Sequence, residues 1–266
     1  MIKYLILLFS ILSCKATSLR KDIESKNAIF KYSNNRKSFV EYPTNPLFTK
    51  GSFDLKSFSI YEFESYYVFA IEIAENFKND WRLPGGWDIQ LFDIYLNLGE
   101  GKHFQGLKGR KAKLEDGWDK VVLLSPLKIS DVRREISQKN SYVYDDFSIV
   151  ENLTKDVILP QEKVIKENSI YVKVSKESLG KFDIKGFQVF SMGLDPNGKE
   201  SSVREVKQFS TQLEFGGGSS LNNNPNVVDI LGDINQLKTY DSEGARVNFA
   251  NIKLIPIKIE RSNEYK

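Results

Sequence analysis

One histidine, His103, one cysteine, Cys14, and three tryptophans, Trp81, Trp87 and Trp118, bound the chemistry open to this chain of 266 residues. A single His and a single Cys exclude a His-rich zinc site and leave no Cys–His nucleophile pair to build a covalent mechanism on. A Ser-His-Asp triad needs His103 to meet a serine, and no Gly-x-Ser-x-Gly elbow presents one. His103 lies in the glycine-rich stretch Gly99-Glu-Gly-Lys-His-Phe104 and reads as a surface loop residue. Haem ligation by His103 and Met192 is a thin pairing, because the other methionine is the first residue. Asp88, Asp93, Glu100, Asp116 and Asp119 supply carboxylates of the kind glycoside hydrolysis uses in pairs, but nothing in the sequence brings two of them to one cleft. The chain reads as a non-enzyme.

Binding chemistry is better served. Sugar rings present flat C–H faces that stack on exposed aromatic side chains, while their hydroxyls need Asn, Asp, Gln or Arg close by. Asp80, Trp81 and Arg82 bring those types together and form the candidate ligand-binding face; Trp87 and Trp118 read as plugs at the ends of a core. Asp93 shares the apolar phase of Ile89 and Leu91, and an inward carboxylate usually caps backbone amides or binds a cation. Asp93, Asp195 and Asn197 are therefore the candidate calcium ligands, although Asp195-Pro-Asn-Gly198 lacks the downstream Glu of an EF-hand loop and reads equally as a tight turn. No other cofactor is expected. Phe215-Gly-Gly-Gly218 lacks the Lys-Ser/Thr ending of a phosphate loop.

The elements that must position these residues are strands. Alternation over Phe53–Glu62 and the β-branched, aromatic run Tyr66–Ala74 form a hairpin about Glu64-Ser65. Further strands are expected at Asp88–Asn97, Lys120–Leu124, Tyr142–Val150, Lys155–Leu159, Ser169–Val174, Gln188–Gly193 and Lys253–Ile259. Short helices are expected at Ser175–Gly180 and Asn226–Gly232, and loops over 125–139 and 194–226. Many short strands separated by turn residues favour an all-β antiparallel sandwich of immunoglobulin-like or jelly-roll type. The net charge of +3, spread along the chain, gives no footprint of a nucleic-acid binder.

At the amino end, Lys3 precedes an apolar run too short to span a bilayer, and Ile11-Leu12-Ser13-Cys14 resembles the lipobox of bacterial lipoproteins. That resemblance implies cleavage before Cys14, acylation of its sulfur, and export to the cell envelope, whether outer membrane or cell surface. Residues 1–13 are then a signal peptide, 14–37 a lipid-anchored tether, mostly flexible with a short helical stretch about Leu19–Ile29, and 38–266 a single β-sandwich domain. With one cysteine the fold has no internal disulfide to rely on, so its stability must come from a packed core.

Tyr42-Pro-Thr-Asn-Pro46, Gly51-Ser-Phe-Asp-Leu55, Trp87-Asp-Ile-Gln-Leu91, Gly109-Arg110, Gly117-Trp118, Phe215-Gly-Gly-Gly218, Asn224-Pro-Asn-Val-Val-Asp-Ile-Leu231 and Ile255-Pro256 follow one another in an order that resembles the carboxy-terminal domain of glucodextranase. The resemblance implies a β-sandwich related in shape to DOMON domains and family 9 carbohydrate-binding modules, non-catalytic, and in contact with carbohydrate or the cell surface. The expected function is a lipid-anchored envelope protein that binds carbohydrate; the alternative is a structural or adhesin-like lipoprotein that binds an envelope or host protein, with a glycoside hydrolase third.

Overall fold

A computed structural model describes residues 18–35, 48–139, 153–180, 183–195, 201–219, 224–240 and 249–258. Its first sheet is antiparallel throughout, in the order β1 (Phe30–Ser33), β2 (Leu55–Glu62), β3 (Tyr66–Ile73), β10 (Ser169–Ser175), β9 (Lys163–Lys166). The second runs β12 (Asp229–Ile230), β11 (Gly186–Gly193), β4 (Gln90–Asn97), β7 (Lys120–Leu124), β8 (Val157–Ile158), with β14 (Ile255–Pro256) also on β11. A small third sheet joins β13 (Ala250–Ile252), β6 (Ala112–Trp118) and β5 (His103–Gln105). Two strand pairs, β7–β8 and β13–β6, are parallel; the other pairs are antiparallel. This is the expected all-β sandwich, thickened by a third layer.

The second sheet is the middle layer. Phe92, Ile94, Leu96, Val122, Phe187 and Val189 pack against Phe58, Ile60, Phe69, Ile71 and Val172 of the first sheet. On the opposite face Leu91, Tyr95, Val121, Phe190 and Met192 meet Ala112, Leu114, Trp118 and Ile252 of the third sheet, together with Val132 and Ile136. Covered on both faces, β4 and β11 are buried almost end to end, as their near-continuous apolar sequences require.

Several elements depart from the sequence reading. Within the expected tether over 14–37 the helical stretch is present over 18–25 (α1), but it is docked rather than free and is followed by the edge strand β1. Leu19 and Ile23 of α1 pack on Val68, Val164, Tyr61 and Tyr171 of the outer sheet face, which supplies the apolar contact that local composition lacked. The expected loop 125–139 contains α2 (Ile129–Lys139), whose Val132 and Ile136, four apart, face the second core. Asn226–Gly232 is extended rather than helical: its Val-Val-Asp-Ile run is buried and pairs through β12 with β11. A four-residue helix, Lys176–Leu179, does lie inside Ser175–Gly180; with a short turn over 153–156 preceding it in the chain as α3, it is α4, capped by Ser175 Oγ. The expected strand Tyr142–Val150 lies outside the described residues.

Candidate functional site

Trp81 stands at the tip of the connection between β3 and β4, and short polar contacts fix that connection. Asp88 N–H donates to the Lys78 carbonyl (2.8 Å) and closes the base of the loop; the Asp88 carboxylate reaches across it and accepts from Trp81 N–H (3.0 Å). Asn79 Oδ1 accepts from Leu83 N–H at 2.8 Å, and Arg82 N–H donates to the Asn79 carbonyl at 3.1 Å. Gly85 N–H donates to the Pro126 carbonyl (2.6 Å), a backbone approach so close that a Cβ at Gly85 would run into Pro126 Cα. Arg82 takes φ of 54°, a left-handed conformation that costs about 1–2 kcal/mol outside glycine. The loop therefore presents Trp81, 54% exposed, from a backbone already held in one shape.

Beside Trp81 runs a shallow open groove lined by polar Thr49, Asn76, Asp80, Asp88 and Gln90, with Phe48 and Ile89 as apolar wall. Gln90 is 6% exposed, and its Oε1 has no hydrogen-bond partner among the described residues. An exposed aromatic face next to convergent donors and acceptors is the arrangement a sugar ring needs. Of the three residues expected to bind, Trp81 and Asp80 line the groove; Arg82 does not, and instead shapes the turn behind them. Sequence reasoning missed Thr49, Asn76 and Gln90, which come from separate segments and carry no local pattern.

Trp87 and Trp118 are fully buried, as expected of core plugs, and donate their indole N–H groups to the Gln90 and Gln105 carbonyls at 2.8 and 2.9 Å. A second recess, of about 290 Å³, is walled by Trp87, Leu123, Leu127, Val132 and Leu159, with Lys163 Nζ 4.6 Å above the Trp87 ring. Burial pushes the Lys163 amine down. Its mostly apolar walls offer sugar hydroxyls few partners.

Of the candidate calcium ligands, the two among the described residues each face an arginine. Asp93, completely buried, accepts from Arg110 Nε (2.8 Å) and Nη2 (3.1 Å) and from the Tyr95 hydroxyl (2.9 Å), so its charge is met by a guanidinium rather than a metal ion. Beside that carboxylate, burial drives the Tyr95 phenol well up and the Asp93 charge adds to it. Asp195 acts on Arg204, whose guanidinium burial pushes down and the Asp195 charge holds up. Asn197, like Cys14, lies outside the described residues. Among the described residues no three His, Cys, Asp or Glu side chains cluster at metal-binding spacing.

His103 is more enclosed than a surface loop residue. Its ring lies 4.4 Å from that of Trp118, and Nε2 is 2.8 Å from Asp156 Oδ2. Lys120 Nζ holds the other Asp156 oxygen at 2.8 Å. Burial works to raise the Asp156 carboxyl, but the hydrogen bonds from His103 and Lys120 outweigh it and hold the group below the usual carboxylate range. Among the described residues no hydroxyl hydrogen-bonds the His103 ring, so the pair ties α3 to the third sheet without forming a triad.

The recurring motif residues outside the groove are mostly scaffold. Asn226 Nδ2 donates to the Gly109 carbonyl (2.7 Å) while its Oδ1 accepts from Val206 N–H (2.9 Å), and Asn224 binds backbone at Ser219 and Val206. Asp229 Oδ2 accepts from Leu55 N–H (2.7 Å), joining the first two sheets. Consistent with that shared scaffold, residues 39–248 match the family described as the C-terminal binding module, SLH-like, of glucodextranase. A search of curated proteins returns no match. The chain belongs to the glucodextranase C-terminal binding-module family.

Proposed function

We propose that this member of the family is a non-catalytic, envelope-associated binding protein that holds carbohydrate in the groove beside Trp81. The observation that carries the reading is Trp81 itself, a large aromatic exposed on a pinned loop next to Asp80, Asn76 and Gln90. Solvent exposure of an indole has no benefit to folding, whereas a flat ligand face stacked on it removes apolar surface from water. The SLH-like description of the family supports a position at the cell surface.

Attachment falls to acylated Cys14. It lies four residues before α1, a stretch that reaches about 14 Å at most, so the lipid would hold the outer face of the first sheet close to the bilayer. Metabolic labelling with a fatty acid, retained by the natural chain and lost by Cys14→Ser, tests the anchor. A glycan array tests the ligand: saturable hits weakened at least tenfold by Trp81→Ala support the reading, and an array with no hits above background sinks it.

A second reading, binding of a protein partner, draws on Phe209 and Leu213, 74% and 46% exposed in the loop between Val206 and Phe215. Crosslinking that recovers one partner, unaffected by free sugar and lost on Phe209→Ser, would favour it.

A further inference from the structure

The groove has a charge that narrows its ligand. Glu75, Asp80 and Asp88 line it against a single ammonium, Lys78, giving a formal excess of two negative charges. None of the three carboxylates is paired with a basic side chain among the described residues. Lys78 Nζ lies 3.5 Å from Thr49 Oγ1 instead, and Asp88 uses one oxygen to fix the Trp81 backbone. A second, independent feature is Gln90, more than nine-tenths buried, which lines the same groove with Oε1 unbonded. A buried acceptor without a donor costs about 1–3 kcal/mol, and a ligand N–H or O–H reaches it only if the Gln90 side chain turns out to meet it.

We infer that the groove prefers sugars bearing a free, protonated amine, namely oligomers of 2-amino-2-deoxyhexose, over neutral, N-acetylated or acidic sugars. This rests on the carbohydrate reading and adds the ligand class. Trp81 takes the C–H face of the ring, as it would for any pyranose. The ammonium supplies what neutral sugars lack: a positive charge facing Glu75 and Asp80. N-acetylation removes the charge and adds bulk; a carboxylate in its place would meet three like charges.

Calorimetric titration of the purified full chain at pH 6 and low salt compares four probes: a glucosamine tetramer, its fully N-acetylated form, a neutral glucose tetramer and a uronic acid tetramer. The glucosamine tetramer is expected to bind at least about fivefold more tightly than the other three, a size typical of solvent-exposed ion pairs. The advantage shrinks as salt rises. In Glu75→Gln the advantage falls by about half, while affinity for the glucose tetramer and the melting temperature stay the same. Equal binding of the amine-bearing and neutral tetramers overturns the inference and leaves carbohydrate binding standing. If no tetramer binds, both fall.

Discussion

Replacing Arg110 with alanine strands the Asp93 carboxylate, whose ion pair is the most completely buried among the described residues, and the expected damage follows from the contacts. Arg110 provides two of the three hydrogen bonds that Asp93 accepts, and a further one to the Lys108 carbonyl at 2.9 Å. The Asp93 side chain is 0% exposed and that of Arg110 7%, so water cannot take the place of the guanidinium without opening the core between the second and third sheets. Breaking one side of such a pair costs about 3–5 kcal/mol, which at ~2–4 °C per kcal/mol for a domain of this size lowers the melting temperature by about 6–20 °C. Replacing both partners with apolar residues, Asp93→Leu with Arg110→Met, removes the stranded charge and should recover most of that loss. Differential scanning calorimetry of the two variants beside the natural chain measures both effects. An Arg110→Ala variant melting within about 2 °C of the natural chain would show instead that the carboxylate finds a solvent the packing is said to deny it.

Three further outcomes follow from the same structure. Gly85→Ala should destabilise by about 1–3 kcal/mol, since its methyl meets Pro126 backbone, and should weaken sugar affinity by displacing the Trp81 loop; urea titration and calorimetric binding read the two effects separately. Asp119, which accepts from Leu98, Glu100 and Lys102 N–H groups, and Asp156 both have depressed carboxyl values, with burial opposing the shift and hydrogen bonds prevailing. Their stabilisation is therefore complete above the unfolded carboxyl range near pH 4 and is lost as pH falls through the lower folded values, so urea midpoints should drop on acidification, less steeply in Asp156→Asn. Ser175→Ala, which removes the cap of α4, should cost about 0.5–2 kcal/mol in the same urea assay.

The strand framework was legible because it rests on local signals. The β2–β3 hairpin has a clean turn at Glu64-Ser65, β7 coincides with its expected span, and Gly180 closes α4 where expected. The misreadings come from long-range packing. Nothing near Leu19 announces that α1 will rest on Val164, and the Val-Val-Asp-Ile run of β12 looks helical or extended until β11 is beside it. In α2 the apolar stripe is only Ile129, Val132 and Ile136 among charged residues, too sparse to compete with a loop reading. At the site, Trp81 was legible from its polar neighbours, whereas Thr49, Asn76 and Gln90 join it only through the return of the chain across the sheet end. Asp93 was recognised as an inward carboxylate, but its partner lies seventeen residues away and no pattern links the two.

Indole N–H resonances report ligand at the groove, since Trp81 sits in a setting unlike that of the other two tryptophans. Trp81 is exposed at the groove, while Trp87 and Trp118 are buried and hydrogen-bonded to backbone carbonyls. In a ¹⁵N–¹H spectrum titrated with amine-bearing and neutral oligosaccharides, the peak lost in Trp81→Phe should shift in a saturable manner, while that of Trp118 stays in place. A titration in which the Trp81 peak stays still through the highest sugar concentration, or in which sugar moves only the buried indoles, would contradict binding at this groove.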